Sequence, residues 1–129
     1  MEAEWEYAAR GGSQSQHYTY AGSNNIDDVA WYASNSRNTT HPVGQKRGNE
    51  LGICDMTGNV FEWCSDWYGA DYYAQSTGTN PKGPSFGQYR VIRGGSWLFE
   101  PTDCHIVFRE VADPGGMRFD IGFRVVSSL

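Results

Sequence analysis

The sequence predicts an α+β fold in which little of the chain is regular and much is ordered loop. Three observations predict it. One N-terminal segment has helical spacing, a few short segments alternate with the two-residue period of strands, and sixteen glycines punctuate the rest. Of the 129 residues 39% are hydrophobic, enough for a core, so residues 1–129 are expected to form one domain of ordinary size.

Residues 2–10 read as a helix. Ala, Glu and Arg favour it, Gly11-Gly12 stops it, and Trp5, Ala8 and Ala9 share its inward face. Residues 13–42 are polar loop, with a turn at Asp27-Asp28 and an apolar anchor from Val29 to Tyr32. Residues 55–59 form a turn. Residues 60–64 alternate as a strand, and residues 66–86 are a long Gly/Asn/Pro loop with several Tyr. Residues 89–93 are a second strand, broken by Gly94-Gly95. Residues 106–108 and 123–126 complete a small twisted antiparallel sheet. Trp31, Trp63 and Trp67 are expected in the core, where large aromatic side chains bury the most area.

Composition excludes several functions. A net charge of -5 with no Lys/Arg cluster argues against nucleic acid as the main partner. No apolar run is long enough for a membrane span, and the start MEAEWEY has no basic-then-apolar leader; the compartment stays open. Three cysteines, Cys54, Cys64 and Cys104, are too few and too odd in number for a disulfide framework, and no Cys-x-x-Cys offers a zinc site. Ser96 has no His near it in sequence and reads as a hydroxyl bonding backbone in a Gly turn.

Six stretches in order carry a family resemblance: EAEWEYAARGG (2–12), DDVAWYASNS (27–36), THPVGQK (40–46), NELGICDMTGNVFEWCSDWYG (49–69), YRVIRGGSW (89–97) and IGFRVV (121–126). Together they resemble the formylglycine-generating enzyme (sulfatase-modifying factor) domain. The resemblance implies a C-type-lectin-like fold. It covers the later part of a usual family domain, without the strand and helix that normally precede the first stretch, which leaves a full and an N-terminally reduced domain both open.

The resemblance also implies an activity to be weighed. Family enzymes oxidise a substrate cysteine with copper held by two protein cysteines, a soft ligand pair suited to Cu(I). Counted back from Arg109, those two positions hold Pro101 and Ile106, so no copper is expected. Cys104 is nearby but falls off both positions. A structural calcium is implied at the turn, on the side chains of Asp55 and Glu62 and the carbonyls of Gly58 and Val60. The same residues equally describe a tight turn in which Gly58 or Asn59 takes positive φ and Asp55 caps backbone. A second family calcium site, around Asn25-Ile26, is not evident.

Residues 98–120 have the layout of the variable region in retroelement variable proteins of this fold. There an error-prone reverse transcriptase rewrites template adenines between a Gly-Gly-Ser-Trp-like start and an Ile-Gly-Phe-Arg-like end. Gly94, Gly95, Ser96, Trp97, Pro101, Arg109, Pro114 and Ile121 to Arg124 look like family frame; the residues between do not. Randomised Asn codons reach Leu98, Phe99, Thr102, His105, Phe108 and Val111. They also reach Ala112, Gly116, Arg118, Phe119 and Asp120, but not Glu100, Glu110 or Met117. The resemblance therefore implies a diversified surface for a macromolecular ligand, a protein by its chemistry. Phe99, Phe108 and Phe119 would anchor it, and Glu100, Glu110, Arg118 and Asp120 would give polar contacts, because aromatics and Arg dominate interface energies. Two other readings stay open: residues 104–108 as a core strand beside ordinary loop, and the copper oxidase as the alternative function.

Overall fold

Four short strands form one sheet. They are β1 (Phe61–Trp67), β2 (Arg90–Arg93), β3 (Arg109–Ala112) and β4 (Ile121–Gly122), in the order β3-β2-β1-β4. The structure, a computed structural model, describes residues 1–76 and 78–127. β1 and β2, and β2 and β3, pair antiparallel, with an irregularity in β1 between Trp63 and Trp67. β4 runs parallel to β1, so the sheet is mixed where an antiparallel one was expected. Helix α1 (Glu2–Ala9) packs on one face; α2 (Ile26–Val29) and α3 (Tyr72–Gln75) are single turns within the loops.

Pairing register sorts the side chains onto two faces, because directly opposed residues point the same way and successive residues alternate. Phe61 opposes Ile121, Trp63 opposes Ile92, and Ile92 opposes Glu110, so these share one face. Glu62 opposes Arg93, Arg93 opposes Arg109, and Val91 opposes Val111, so these share the other, toward α1.

Helix α1 docks through polar groups as well as Trp5. Glu2 is buried and takes Arg109 at 2.8 Å and the Tyr73 hydroxyl at 2.9 Å. Trp5 Nε1 donates to Glu62 at 2.8 Å, and Glu6 pairs with Arg93. Positions 2, 5, 6 and 9 form one stripe, as the helical period requires.

Two expected strands are misplaced. Residues 106–108 are a turn, because Arg93 reaches across and takes the carbonyls of Phe108 at 2.9 Å and Ile106 at 3.1 Å. Ile106 N–H donates to Thr19 and Phe108 N–H to His105, so neither joins a ladder, and the strand begins at Arg109. At the C-terminal end pairing is confined to Ile121–Gly122; Phe123, Val125 and Val126 are exposed, not laddered. The three tryptophans expected in the core are half-buried. Trp31 stacks on His41, with ring centroids 3.7 Å apart; Trp67 carries the Arg90 guanidinium at 3.6 Å; Trp63 borders an open cleft.

Candidate functional site

Residues 98–120 start from a rigid corner. Gly94 and Gly95 both have positive φ, and a Cβ on Gly95 would lie 2.5 Å from the Cys104 sulfur, so only glycine fits there. Ser96 is fully buried. Its hydroxyl accepts from Leu98 N–H at 3.3 Å and lies 3.4 Å from Asp120, which agrees with a turn-bonding role rather than a nucleophile's. The other end is pinned where Phe61 N–H donates to the Asp120 carbonyl at 2.8 Å. In the middle, Arg109 is tied to Glu2.

Between these anchors the expected contact residues divide. Phe99 and Phe108 lie on the Phe61 face, with ring centroids 4.9 and 6.5 Å from Phe61, and both are half-buried. Glu110 shares that face. Gly116, Arg118 and Phe119 cluster with Met117 at its edge. There they join Trp63 and Ile121 around an open cleft of about 440 Å³. Met117 is 100% exposed and Phe119 79% exposed. Arg118 holds Asp120 with two hydrogen bonds, at 3.0 and 2.7 Å, and this bond raises its pKa.

Others stand apart. Leu98, Glu100 and Thr102 are exposed, while His105 sits edge-on against Tyr20, 5.3 Å away, beside the cluster that buries Cys104. Burial and register set three of the expected contact residues apart. Ala112 is buried in the Phe61 cluster. Asp120, only 4% exposed, is held internally by Arg118 and near Ser96. Val111 opposes Val91 and so points to the helix side. None of the three presents contact area on the Phe61 face. Conversely, Trp63, Met117 and Ile121 line the cleft and were not expected there. The alternation of Phe61 and Trp63 along β1 is the signal that places Trp63 on this face.

The 55–62 turn brings Asp55, Val60 and Glu62 to a second pocket of about 340 Å³. Asp55, Gly58 and Asn59 all have positive φ, and a Cβ on Gly58 would lie 2.3 Å from the Trp31 carbonyl. Asp55 accepts from Gly44 N–H at 2.7 Å, the backbone-capping role foreseen for it. Both oxygens of buried Glu62 are engaged. Arg124 donates to them at 2.7 and 3.1 Å, and Trp5 adds a third donor. The bond to Glu62 raises the Arg124 pKa. As placed, these residues do not fit calcium well, because a guanidinium already neutralises Glu62. Among the described residues no three acid, His or Cys side chains gather as a metal site.

Pro101 and Ile106, the two positions reached by counting back from Arg109, carry no thiolate. Burial pushes the Cys64 and Cys104 thiols up to about 12, so both are protonated at neutral pH, and they lie in different apolar clusters.

Comparisons with known proteins agree with this architecture. Among solved structures, Treponema denticola variable protein 1 superposes with a TM-score of 0.83 and 39% identity, covering 95% of this chain and 44% of that one. The chaperone protein LppX of Paenibacillus barcinonensis is 41% identical over 98% of this chain and 47% of its own length. The formylglycine-generating enzyme of Streptomyces coelicolor is 37% identical over 95% of this chain and 44% of its own. The chain thus spans about half the length of these relatives. The family description "Sulfatase-modifying factor enzyme 1-like domain" matches residues 1–129. The fold is accordingly the C-type-lectin-like fold of formylglycine-generating enzymes, and the chain belongs to the sulfatase-modifying factor enzyme 1-like domain family.

Proposed function

We propose that the protein is a non-catalytic binding module whose residues 98–120 form a diversified surface for a macromolecular ligand, a protein. The observation that carries this reading is the crest at 116–119. Met117 and Phe119 stand in solvent on a segment whose two ends and middle are locked to the core. Large apolar side chains held out from a rigid frame spend folding stability on nothing internal, and a rigid frame lowers the ordering cost of binding. Similarity to the Treponema denticola variable protein supports the reading. The copper oxidase is the weaker alternative, because the two positions that would bind copper are Pro101 and Ile106.

Two measurements test this. Sequencing the gene's neighbourhood should find a near-identical template repeat beside a reverse transcriptase gene; their absence removes the retroelement origin. Titration with Cu(I) against a competing chelator should find at most one weak thiol site. A tight two-thiol site would restore the enzyme.

A further inference from the structure

We propose that the cleft between Trp63 and the 116–121 segment takes a large apolar side chain of a basic polypeptide, with the acidic residues around it selecting Lys or Arg beside that anchor. This rests on the reading of residues 98–120 as a binding surface and names the chemistry of the partner.

Two features of the cleft point to an apolar anchor. Its walls are Trp63, Met117, Phe119 and Ile121, and Phe119 leans on Trp97 with ring centroids 6.1 Å apart. The cleft is also open on one side, which suits a side chain projecting from a second surface better than an enclosed small molecule. Its one lining cation, Arg118, is not free for an acidic partner, since Asp120 occupies its guanidinium with two hydrogen bonds.

The charge of the segment that carries the cleft is one-sided. Residues 98–120 hold five acids, Glu100, Asp103, Glu110, Asp113 and Asp120, against Arg109 and Arg118. Arg109 is turned to the helix side and bound to Glu2. With Arg118 matched to Asp120, the other four acids have no ion pair within 4 Å among the described residues. Glu110 shares the Phe61 face and lies close enough to Arg118 to act on its charge. Asp113 sits on the turn that leads into the crest, accepting from Gly115 N–H at 2.8 Å and, by its carbonyl, from Gly116 N–H at 3.0 Å. An acidic partner would meet uncompensated carboxylates here, whereas a basic one is steered in.

The test is to pan a phage-displayed library of random linear peptides on the intact protein, with counter-selection on Met117→Ser/Phe119→Ser. A matching melting temperature shows that the variant is folded. Selected peptides should pair a large apolar residue with Lys or Arg. Binding of a synthetic selected peptide should fall by about tenfold or more in Glu110→Gln/Asp113→Asn, as expected for charge complementarity at a rim. It should also weaken between roughly 50 and 300 mM NaCl, as screening of exposed charges requires. Cleft-dependent peptides that lack basic residues, or that ignore the two carboxylate changes, overturn the basic partner and leave the binding module standing. Failure to select any peptide that depends on Met117 and Phe119 overturns the cleft as a binding site and the binding surface with it.

Discussion

Replacing Arg93 by Met removes the cation that holds three parts of the protein together. Arg93 is 1% exposed; it pairs with Glu6, lies 3.6 Å from Glu2, and donates to the carbonyls of Ile106 and Phe108. Met fills much of the space but satisfies none of these groups. Glu6 keeps Arg10 and partial exposure to water, and Glu2 keeps Arg109 and Tyr73, so the carboxylates are only partly stranded. Among the described residues the two carbonyls have no second donor. Breaking a buried ion pair from one side costs about 3–5 kcal/mol, and the lost carbonyl bonds fall within that figure because they depend on the same guanidinium. For a chain of this length the loss corresponds to a fall in Tm of roughly 10–20 °C. Thermal unfolding followed by circular dichroism measures it, with urea unfolding as a second reading. Glu6→Gln should cost about 1 kcal/mol or less, because that partner is part-exposed. A loss below about 1 kcal/mol for Arg93→Met, or equal losses for the two variants, refutes the assignment of Arg93 as the clamp on residues 106–108.

Met117→Ala and Phe119→Ala should each change stability by less than about 0.5 kcal/mol, as surface substitutions do, whereas Phe61→Ala should cost about 3–5 kcal/mol. A destabilised Phe119→Ala would place the crest in the core. Thiol burial makes stability fall in alkali: thiols that ionise near 9 when unfolded are pushed up to about 12 when folded. Their contribution is therefore complete below pH 9 and is lost as pH rises from 9 toward 12. Cys104→Ala should flatten this alkaline limb in unfolding curves at several pH values, and an unchanged limb counts against buried neutral thiols. Millimolar calcium or EDTA should leave Tm unchanged, because Arg124 already neutralises Glu62. A calcium-dependent rise of several degrees would show that the 55–62 turn binds the ion, since a ligand at 100 times its Kd adds about 2.7 kcal/mol.

The parts of this fold legible in the sequence are those where local pattern and tertiary role coincide. Trp5 and Ala9 mark the buried stripe of α1, and the alternation around Phe61 marks β1. The Gly94-Gly95-Ser96 corner reads correctly because its glycines are needed where they stand. Ile106 to Phe108 reads as a strand by composition alone, but the Arg93 guanidinium competes for its carbonyls from far along the chain. The true strand, Arg109–Ala112, mixes charge and aliphatic residues because its two faces meet α1 and the cleft. The candidate site was legible as a segment and not as a face. Which of Glu110, Val111 and Ala112 point together depends on pairing with β2, and no single-strand pattern encodes that register. Size alone points Trp63 to the core, since large aromatic side chains bury the most area; here its outer side is left open by the 116–121 segment.

The anchors at Ser96, Arg109 and Asp120 also set a rule for how this surface can change over generations. Trp97 N–H, beside Ser96, donates to the Asn59 carbonyl, Arg109 is held by Glu2 and the Asp120 carbonyl by Phe61 N–H, so the number of residues between them is fixed as well. One residue added or removed between His105 and Ala112 would turn β3 over, sending Glu110 toward the helix and Arg109 toward the cleft. Spelling is free only at the exposed positions of this segment, and spacing is not free at all. A lineage that edits letters in place can explore it, and one that inserts or deletes them breaks the fold before it reaches a new ligand.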